Sequence, residues 1–357
     1  MAGRSKLCPS PNLFHKVIGL TNRPLVNRDA LLPISSRLEL YSGLDLTQDL
    51  ETVVRSLRGI VGIQDVTHVY FTAYTSHGAS YEELKRANVE ILEHAVKAVD
   101  ELCPNGYGLE FADMIDIKPP LKETLPRIPE PWYQNIFYYA QYDLLERLSE
   151  GKKWEFTEIR PDAIINQIGF VPNNNAMNLA QGLGLFLAMY RSIEGAGSAV
   201  PFPGNPTAYR ALHTDTSQDI LARFHIHCSL NSGRTKRKAF NIADGATVSW
   251  EDIWGGLCQF FGLKGAAPDP SHKKPTGAEW MHGHRPQWAG WVKKHGLKEG
   301  AIEGTSWEFM GGMMGAMTFD RQYDLSAARE IGFREQVDTV AGYHLAFARM
   351  REAKIIP

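Results

Sequence analysis

Two stretches decide the fold: Val66-Thr-His-Val-Tyr-Phe-Thr72 and, a short way on, the run from Tyr81 to Leu102. The first is β-branched and aromatic, the composition of a strand. The second sets Leu84, Val89, Leu92, Val96 and Val99 near one face, which predicts a long amphipathic helix. It stops at the turn cluster Pro104-Asn105-Gly106. Upstream, Lys16-Val-Ile-Gly-Leu20 and Leu38-Glu-Leu-Tyr41 are strand-like, and Asp49 to Leu57 carries apolar residues at helical spacing. This alternation predicts an α/β protein with a doubly wound parallel sheet.

Downstream, residues 109–131 are rich in proline and charge and predict a loop. A helix is expected over about 135–148 and a strand over 154–159. Residues 177–191 and 216–230 read as two more helices, and Ala239-Phe-Asn-Ile242 as a short strand. Ser249 is placed to cap a helix from Trp250 to Phe261. Residues 266–315 abound in proline, glycine and tryptophan and predict a loop-rich cap over a site. The expected division is a Rossmann-like core over residues 1–170 and a substrate-binding region over 171–357, with 239–262 returning to the core.

The chain has 357 residues with a formal net charge of -2, so neither a nucleic-acid stripe nor a membrane-surface patch is advertised. Cys8, Cys103, Cys228 and Cys258 are scattered, as in reduced thiols of an intracellular protein. Met1 to Asn12 has no apolar h-region, and the apolar run Leu179 to Tyr190 is too short to span a bilayer. A cytoplasmic location follows as an expectation. His225-x-His227 and His282-x-His284 come without the further ligands of a zinc site, so no metal is expected.

The sharpest chemical signal is Asn135-Ile-Phe-Tyr-Tyr-Ala-Gln-Tyr-Asp143. On a helix, Tyr139, Asp143 and Arg147 project together. A tyrosine near a helix start can give a proton to a developing oxyanion. From spacing alone, however, an aromatic face packed in the core is the favoured reading. Thr21-Asn22-Arg23 follows a strand, where an arginine suits the 2′-phosphate of NADPH.

These residues resemble the progesterone 5β-reductase/iridoid synthase-like branch of the short-chain dehydrogenases, particularly its fungal members. The matching stretches include Val17-Ile-Gly-Leu-Thr-Asn-Arg-Pro24, Gly43-Leu-Asp-Leu46, Phe137-Tyr-Tyr-Ala-Gln-Tyr-Asp143 and Arg160-Pro-Asp162. Further matches are Gly169-Phe-Val-Pro172, Asn175-Ala-Met-Asn178, Phe202-Pro-Gly204, Ala239-Phe-Asn-Ile242 and Lys354-Ile-Ile-Pro357. The resemblance implies an NADPH-dependent reductase of an enone, enal or related carbonyl in specialised metabolism. It assigns Tyr139 as the catalytic residue. It places Asn22, Arg23, Asp45, Leu46, Thr72 and Tyr74 at the cofactor, and Tyr138, Met177 and Phe202 at the substrate. A small carbonyl compound is the expected partner, and a homodimer is compatible with the family.

The chain departs from the family at three places. Met1 to His15 holds one glycine, Gly3, in place of a first strand with a Gly-x-x-Gly-x-x-Gly turn. After Pro104-Asn105-Gly106 the sequence runs straight to Tyr107-Gly-Leu-Glu110, without the strand that carries the Thr-Gly-x-Lys lysine. The stretch Ile165-Asn-Gln-Ile168 lengthens the spacing to Gly169. The expected sheet is therefore incomplete at strands 1 and 5, which would flank Val66 to Thr72 on both sides. NADPH binding is expected to be weak or lost, because glycine-turn N–H groups normally seat the pyrophosphate. The rival expectations are a cofactor-independent isomerase or cyclase on the same scaffold, and an inactive incomplete gene model or splice form.

Overall fold

The computed structural model describes residues 13–25, 35–75, 80–102, 118–128, 133, 136–165, 178–269 and 277–357. Met177, the Pro104-Asn105-Gly106 turn and the Gly169-Phe-Val-Pro172 stretch lie outside these residues.

The chain opens with two parallel strands, β1 (Val17–Thr21) and β2 (Leu38–Ser42), in register from Val17 opposite Leu38 to Thr21 opposite Ser42. Helix α1 (Leu50–Arg58) starts at Asp49, whose side chain accepts a hydrogen bond from the Thr52 amide. Its apolar stripe, Val53, Val54 and Leu57, packs with Ala98 of helix α2 (Tyr81–Leu102). A parallel pair needs a crossover connection, and helical crossovers are the usual way to supply it.

Val66 to Thr72 carries no ladder, although its composition is the most strand-like in the chain. Among the described residues no strand lies beside it. Its anchorage comes instead from side chains. Phe71 is buried with Leu92, Leu145, Trp154 and Phe156. The Tyr70 hydroxyl shares a 2.7 Å hydrogen bond with Ser229 Oγ. β-Branched content favours a pleated conformation, but pairing needs a neighbour.

Helix α3 (Phe137–Ser149) lies on α2 and leads to β3 (Glu158–Pro161) and β4 (Ile164–Ile165). Then follow α4 (Leu179–Glu194), β5 (Ala199–Pro201), α5 (Pro206–Arg210), β6 (Thr216–Ser217), α6 (Gln218–Leu230), α7 (Ser232–Thr235) and β7 (Ala239–Ile242). After α8 (Trp250–Phe260) and β8 (Lys264–Ala266), β3 is found paired with β7, β4 with β6 and β5 with β8, every pair parallel. The architecture is the expected α/β type with parallel pairing; the described strands form four separate two-stranded sheets, and none of them includes Val66–Thr72.

Helix α4 is the centre of the main core, buried from Leu179 to Tyr190. Gly182 and Gly184 let Met310 and Met350 approach its backbone, where a Cβ would meet sulfur at 2.9 and 2.7 Å. Helix α8 begins at a capping box: Ser249 and Asp252 each bond the other's backbone N–H.

The 266–315 region differs from the loop-rich cap expected from its sequence. It holds α9 (Gly277–Gly283), α10 (Arg285–His295), α11 (Trp307–Gly311) and a π-helical turn over Gly312–Ala316. Its prolines and glycines punctuate helix ends: Pro286 sits in the first turn of α10, and Gly296 closes it at φ 60°. Buried Trp280, Trp288, Trp307, Met310 and Met314 supply the packing that helix propensity lacks. Two last helices, α12 (Ser326–Glu330) and α13 (Thr339–Glu352), complete the chain.

Candidate active site

Helix α3 buries Phe137, Leu144 and Leu145 and leaves Tyr139 half-exposed on the opposite flank. The Tyr139 hydroxyl accepts a 3.1 Å hydrogen bond from the Ile128 amide. Its ring stacks on Tyr133 at 5.4 Å, and the Arg127 guanidinium lies 5.1 Å from its centroid. Arg127 also forms a fork with both Asp143 carboxylate oxygens. That pairing raises Arg127 above its ordinary value and keeps it protonated. Tyr139 and Asp143, four residues apart, thus share one cation. Arg147 turns away to Glu93 of α2, at 3.9 Å.

Tyr139 and Arg127 line a cavity of about 500 Å³ together with Tyr142, Glu158, Arg160 and Phe240. Glu158 and Arg160 project from β3 and pair at 2.8 Å. Burial pushes the Glu158 carboxyl up, against the opposing pull of Arg160. Arg160 also donates to the Glu123 carbonyl at 3.3 Å. Burial raises the Glu123 carboxyl too, although it accepts a 2.7 Å hydrogen bond from the Asn241 amide. The cavity joins the hydroxyls of Tyr139 and Tyr142 with cations, carboxylates and apolar walls from Leu125 and Ile331. Such a set can hold a small apolar molecule by a polarisable oxygen.

The residues assigned to the cofactor lie elsewhere. Asn22 and Arg23 follow the end of β1 and are exposed. The Gly43 amide donates to the Thr21 and Asn22 carbonyls, closing the strand ends together. Asp45 accepts from the Thr47 amide and hydroxyl and from Gln48, which lowers its carboxyl below the usual range. Leu46 packs into two apolar clusters, and its carbonyl meets the His94 ring at 3.0 Å. Thr72 and Tyr74 are exposed, and Tyr74 touches Phe137, which lies against Tyr138. The structure thus gathers Tyr74 and Tyr138 on one side of α3 and puts Tyr139 on the Arg127 side. Phe202 is 1% exposed, enclosed by Tyr209, Trp250 and Trp254, and lines neither cavity.

Sequence reasoning missed Asn88, which is fully buried on α2. Its side chain accepts from the Thr75 amide and donates to the Thr75 carbonyl, both at 3.0 Å. Its own carbonyl accepts from Gln141 of α3 at 2.7 Å. One residue therefore ties the end of the Val66–Thr75 segment to both helices. The signal was available: an asparagine set among the apolar residues of α2. Replacing Asn88 by Ala removes both of its bonds to the Thr75 backbone and should cost about 1–3 kcal/mol. Urea unfolding of the variant checks this, and an unchanged midpoint would contradict it.

A second polar cluster is sealed within the C-terminal half. Asp215, Asp244, His213 and Tyr343 are all fully buried. His213 Nε2 lies 3.5 Å from Asp215 Oδ2. Asp162 accepts from the Thr214 hydroxyl at 2.7 Å, with Arg321 3.6 Å away. Burial pushes the Asp244 carboxyl up to about 7, although its Oδ1 accepts from the Ser217 amide at 2.7 Å. Among the described residues no group of three or more His, Cys, Asp or Glu is arranged to hold a metal ion. No described helix is long and apolar enough to cross a membrane.

Parallel strand pairs with helical crossovers and a tyrosine-bearing helix beside them define the Rossmann enzymes of short-chain dehydrogenase type. Residues 6–357 match the model of the PRISE-like Rossmann-fold domain. The chain is 34% identical to the short chain dehydrogenase sirQ of Leptosphaeria maculans, across 97% of this chain and 91% of that one. It is 35% identical to the short chain dehydrogenase ausT of Aspergillus calidoustus, across 98% and 89%. It is also 24% identical to the (S)-8-oxocitronellyl enol synthase CYC2 of Camptotheca acuminata, across 96% and 86%. Among solved structures, WbmH of Bordetella bronchiseptica in complex with NAD+ superposes with a TM-score of 0.57 at 16% identity, covering 94% of this chain and 90% of that one. The GDP-mannoheptose C4 reductase MlghC of Campylobacter jejuni with NADP bound gives 0.58 at 15%, covering 88% and 90%. The chain belongs to the PRISE-like Rossmann-fold family and is an enzyme of the short-chain dehydrogenase class.

Proposed function

We propose that this chain reduces a small enone, enal or related carbonyl compound with NADPH, and that Tyr139 meets the substrate oxygen. The carrying observation is the hydrogen bond from the Ile128 amide to the Tyr139 hydroxyl. A hydroxyl has one proton to give and two lone pairs. Ile128 engages a lone pair, so the Tyr139 proton remains for an acceptor in the cavity. Bound NADPH supplies the hydride. As negative charge develops on the substrate oxygen, Tyr139 donates to it, and Arg127 over the ring steadies the charge left on the phenol. Leu125, Tyr142, Phe240 and Ile331 offer the hydrocarbon part a surface that excludes water.

Arg23 fits the cofactor's 2′-phosphate: it is exposed at the carboxyl end of β1, where parallel sheets bind nucleotides. The turn from Gly43 to Leu46, closed onto the β1 end, suits the adenosine side. Thr72, exposed, and Tyr74, exposed and in contact with Phe137, suit the other end. The relatives named short chain dehydrogenases support the redox assignment, and the enol synthase supports a carbonyl substrate.

The test is NADPH consumption with a panel of enals and enones at millimolar cofactor. Turnover that requires NADPH is the expected result. Substrate conversion with no cofactor present would replace this function with isomerisation or cyclisation by the same tyrosine.

A further inference from the structure

We propose that the cavity at the carboxyl end of β7 binds a phosphoryl group, with Arg329 and Arg334 as its cations. The cavity measures about 460 Å³ and is lined by Thr214, Gly245, Thr247, Tyr323, Ser326 and both arginines, among others. Gly245 lies three residues beyond the end of β7, and ligands of parallel sheets collect beyond the carboxyl ends of the strands. Gly245 has φ 112°, and a Cβ there would meet Gln336 at 2.8 Å, so glycine lets that wall close.

Among the described residues neither guanidinium group has a carboxylate partner. Arg329 Nη1 is fixed by the Phe333 and Glu335 carbonyls, at 3.1 and 3.0 Å. Arg334 makes no ion pair or hydrogen bond with any described residue. The pair lies close enough that Arg334 adds to the effect of burial in lowering Arg329 below its ordinary value. The nearby acids are engaged: Glu335 pairs with Arg223 at 2.5 Å, Asp324 accepts from Ser326 of the cavity wall, its amide at 2.8 Å, and Asp244 accepts from the Ser217 amide at 2.7 Å. Glu330 is the exception, an exposed carboxylate on the rim of this cavity and of the Tyr139 cavity.

Two fork-shaped cations beside the Thr247 hydroxyl match a doubly charged tetrahedral oxyanion better than a monovalent carboxylate. The 2′-phosphate of NADPH is given to Arg23, and the group bound here is taken to come from a substrate or from free phosphate. The site stands whether or not Tyr139 performs reduction.

Titration calorimetry with inorganic phosphate, acetate and glycerol 3-phosphate at matched ionic strength tests it on the full chain. Inorganic phosphate should bind at least about tenfold more tightly than acetate, and Arg334→Gln should weaken it by about tenfold or more. Glu330→Gln should strengthen it by removing an exposed opposing charge from the rim. Glycerol 3-phosphate binding more tightly than inorganic phosphate would identify a phosphomonoester as the source. Equal affinities would identify free phosphate. Phosphate that binds no better than acetate, or equally well to wild type and Arg334→Gln, overturns the assignment.

Discussion

Tyr139→Phe should lose most of the proposed reductase activity, about 10²- to 10⁴-fold in kcat, while Tyr138→Phe keeps most of it. The two tyrosines are neighbours on α3 but occupy different surroundings. Tyr138 lies against Phe137 at 4.0 Å, on the side that carries Tyr74. Tyr139 alone meets Arg127 and the Ile128 amide in the cavity. Removing its hydroxyl also leaves the Ile128 N–H without its partner, a stability cost of about 1–3 kcal/mol. Thermal melting must therefore accompany the kinetics. A folded Tyr139→Phe variant with a collapsed kcat supports the assignment. Equal residual rates for the two variants contradict it.

Stability should fall as pH rises from about 4 to 7, and Asp244→Asn should remove much of that slope. Asp244 sits in the fold with its carboxyl pushed up to about 7, against an ordinary 3.8. Below pH 4 the folded and unfolded chains both hold the proton. Between the two values only the folded chain holds it, so each pH unit gained favours the unfolded state by about 1.4 kcal/mol. Above pH 7 both forms are ionised and the loss is complete, on the order of 4 kcal/mol. Burial also raises Asp162, Glu158 and Glu123, so a residual slope of the same sign remains. Asparagine keeps an oxygen for the Ser217 amide and carries no charge. Denaturant unfolding at pH 5 and pH 8 should show the variant gaining more on wild type at pH 8 than at pH 5. Parallel profiles would contradict the role given to Asp244.

Local signals carried much of the fold. Helix α2 runs over Tyr81–Leu102, the span its apolar stripe predicts, and β7 over Ala239–Ile242. Ser249 caps α8 as its position before Trp250 implies. Val66 to Thr72 shows the limit of composition: strand character is local, but a ladder needs a neighbour from elsewhere in the chain. The helices between 277 and 311 were hidden for a related reason. Their tryptophans and methionines gain stability from burial against α4, which no short window of sequence contains.

The site divided along the same line. The shared face of Tyr139 and Asp143 was legible from four-residue spacing, yet the cation between them was not. Arg127 lies outside the helix, 16 residues from Asp143. Glu158 reads as an ordinary strand residue until its burial beside Arg160 is known. Asn88 was legible in principle, since a lone amide among apolar neighbours on α2 needs a partner.

Calorimetric titration with NADPH and NADH, on wild type and Arg23→Gln, tests the central claim that this enzyme works with NADPH. One charge-assisted contact to the 2′-phosphate contributes about 1.5–3 kcal/mol, roughly 10- to 150-fold in affinity. Wild type should bind NADPH weakly but more tightly than NADH by about that factor, and Arg23→Gln should erase the difference. No heat from either dinucleotide at millimolar concentration, or identical binding of the two by wild type, would contradict the account.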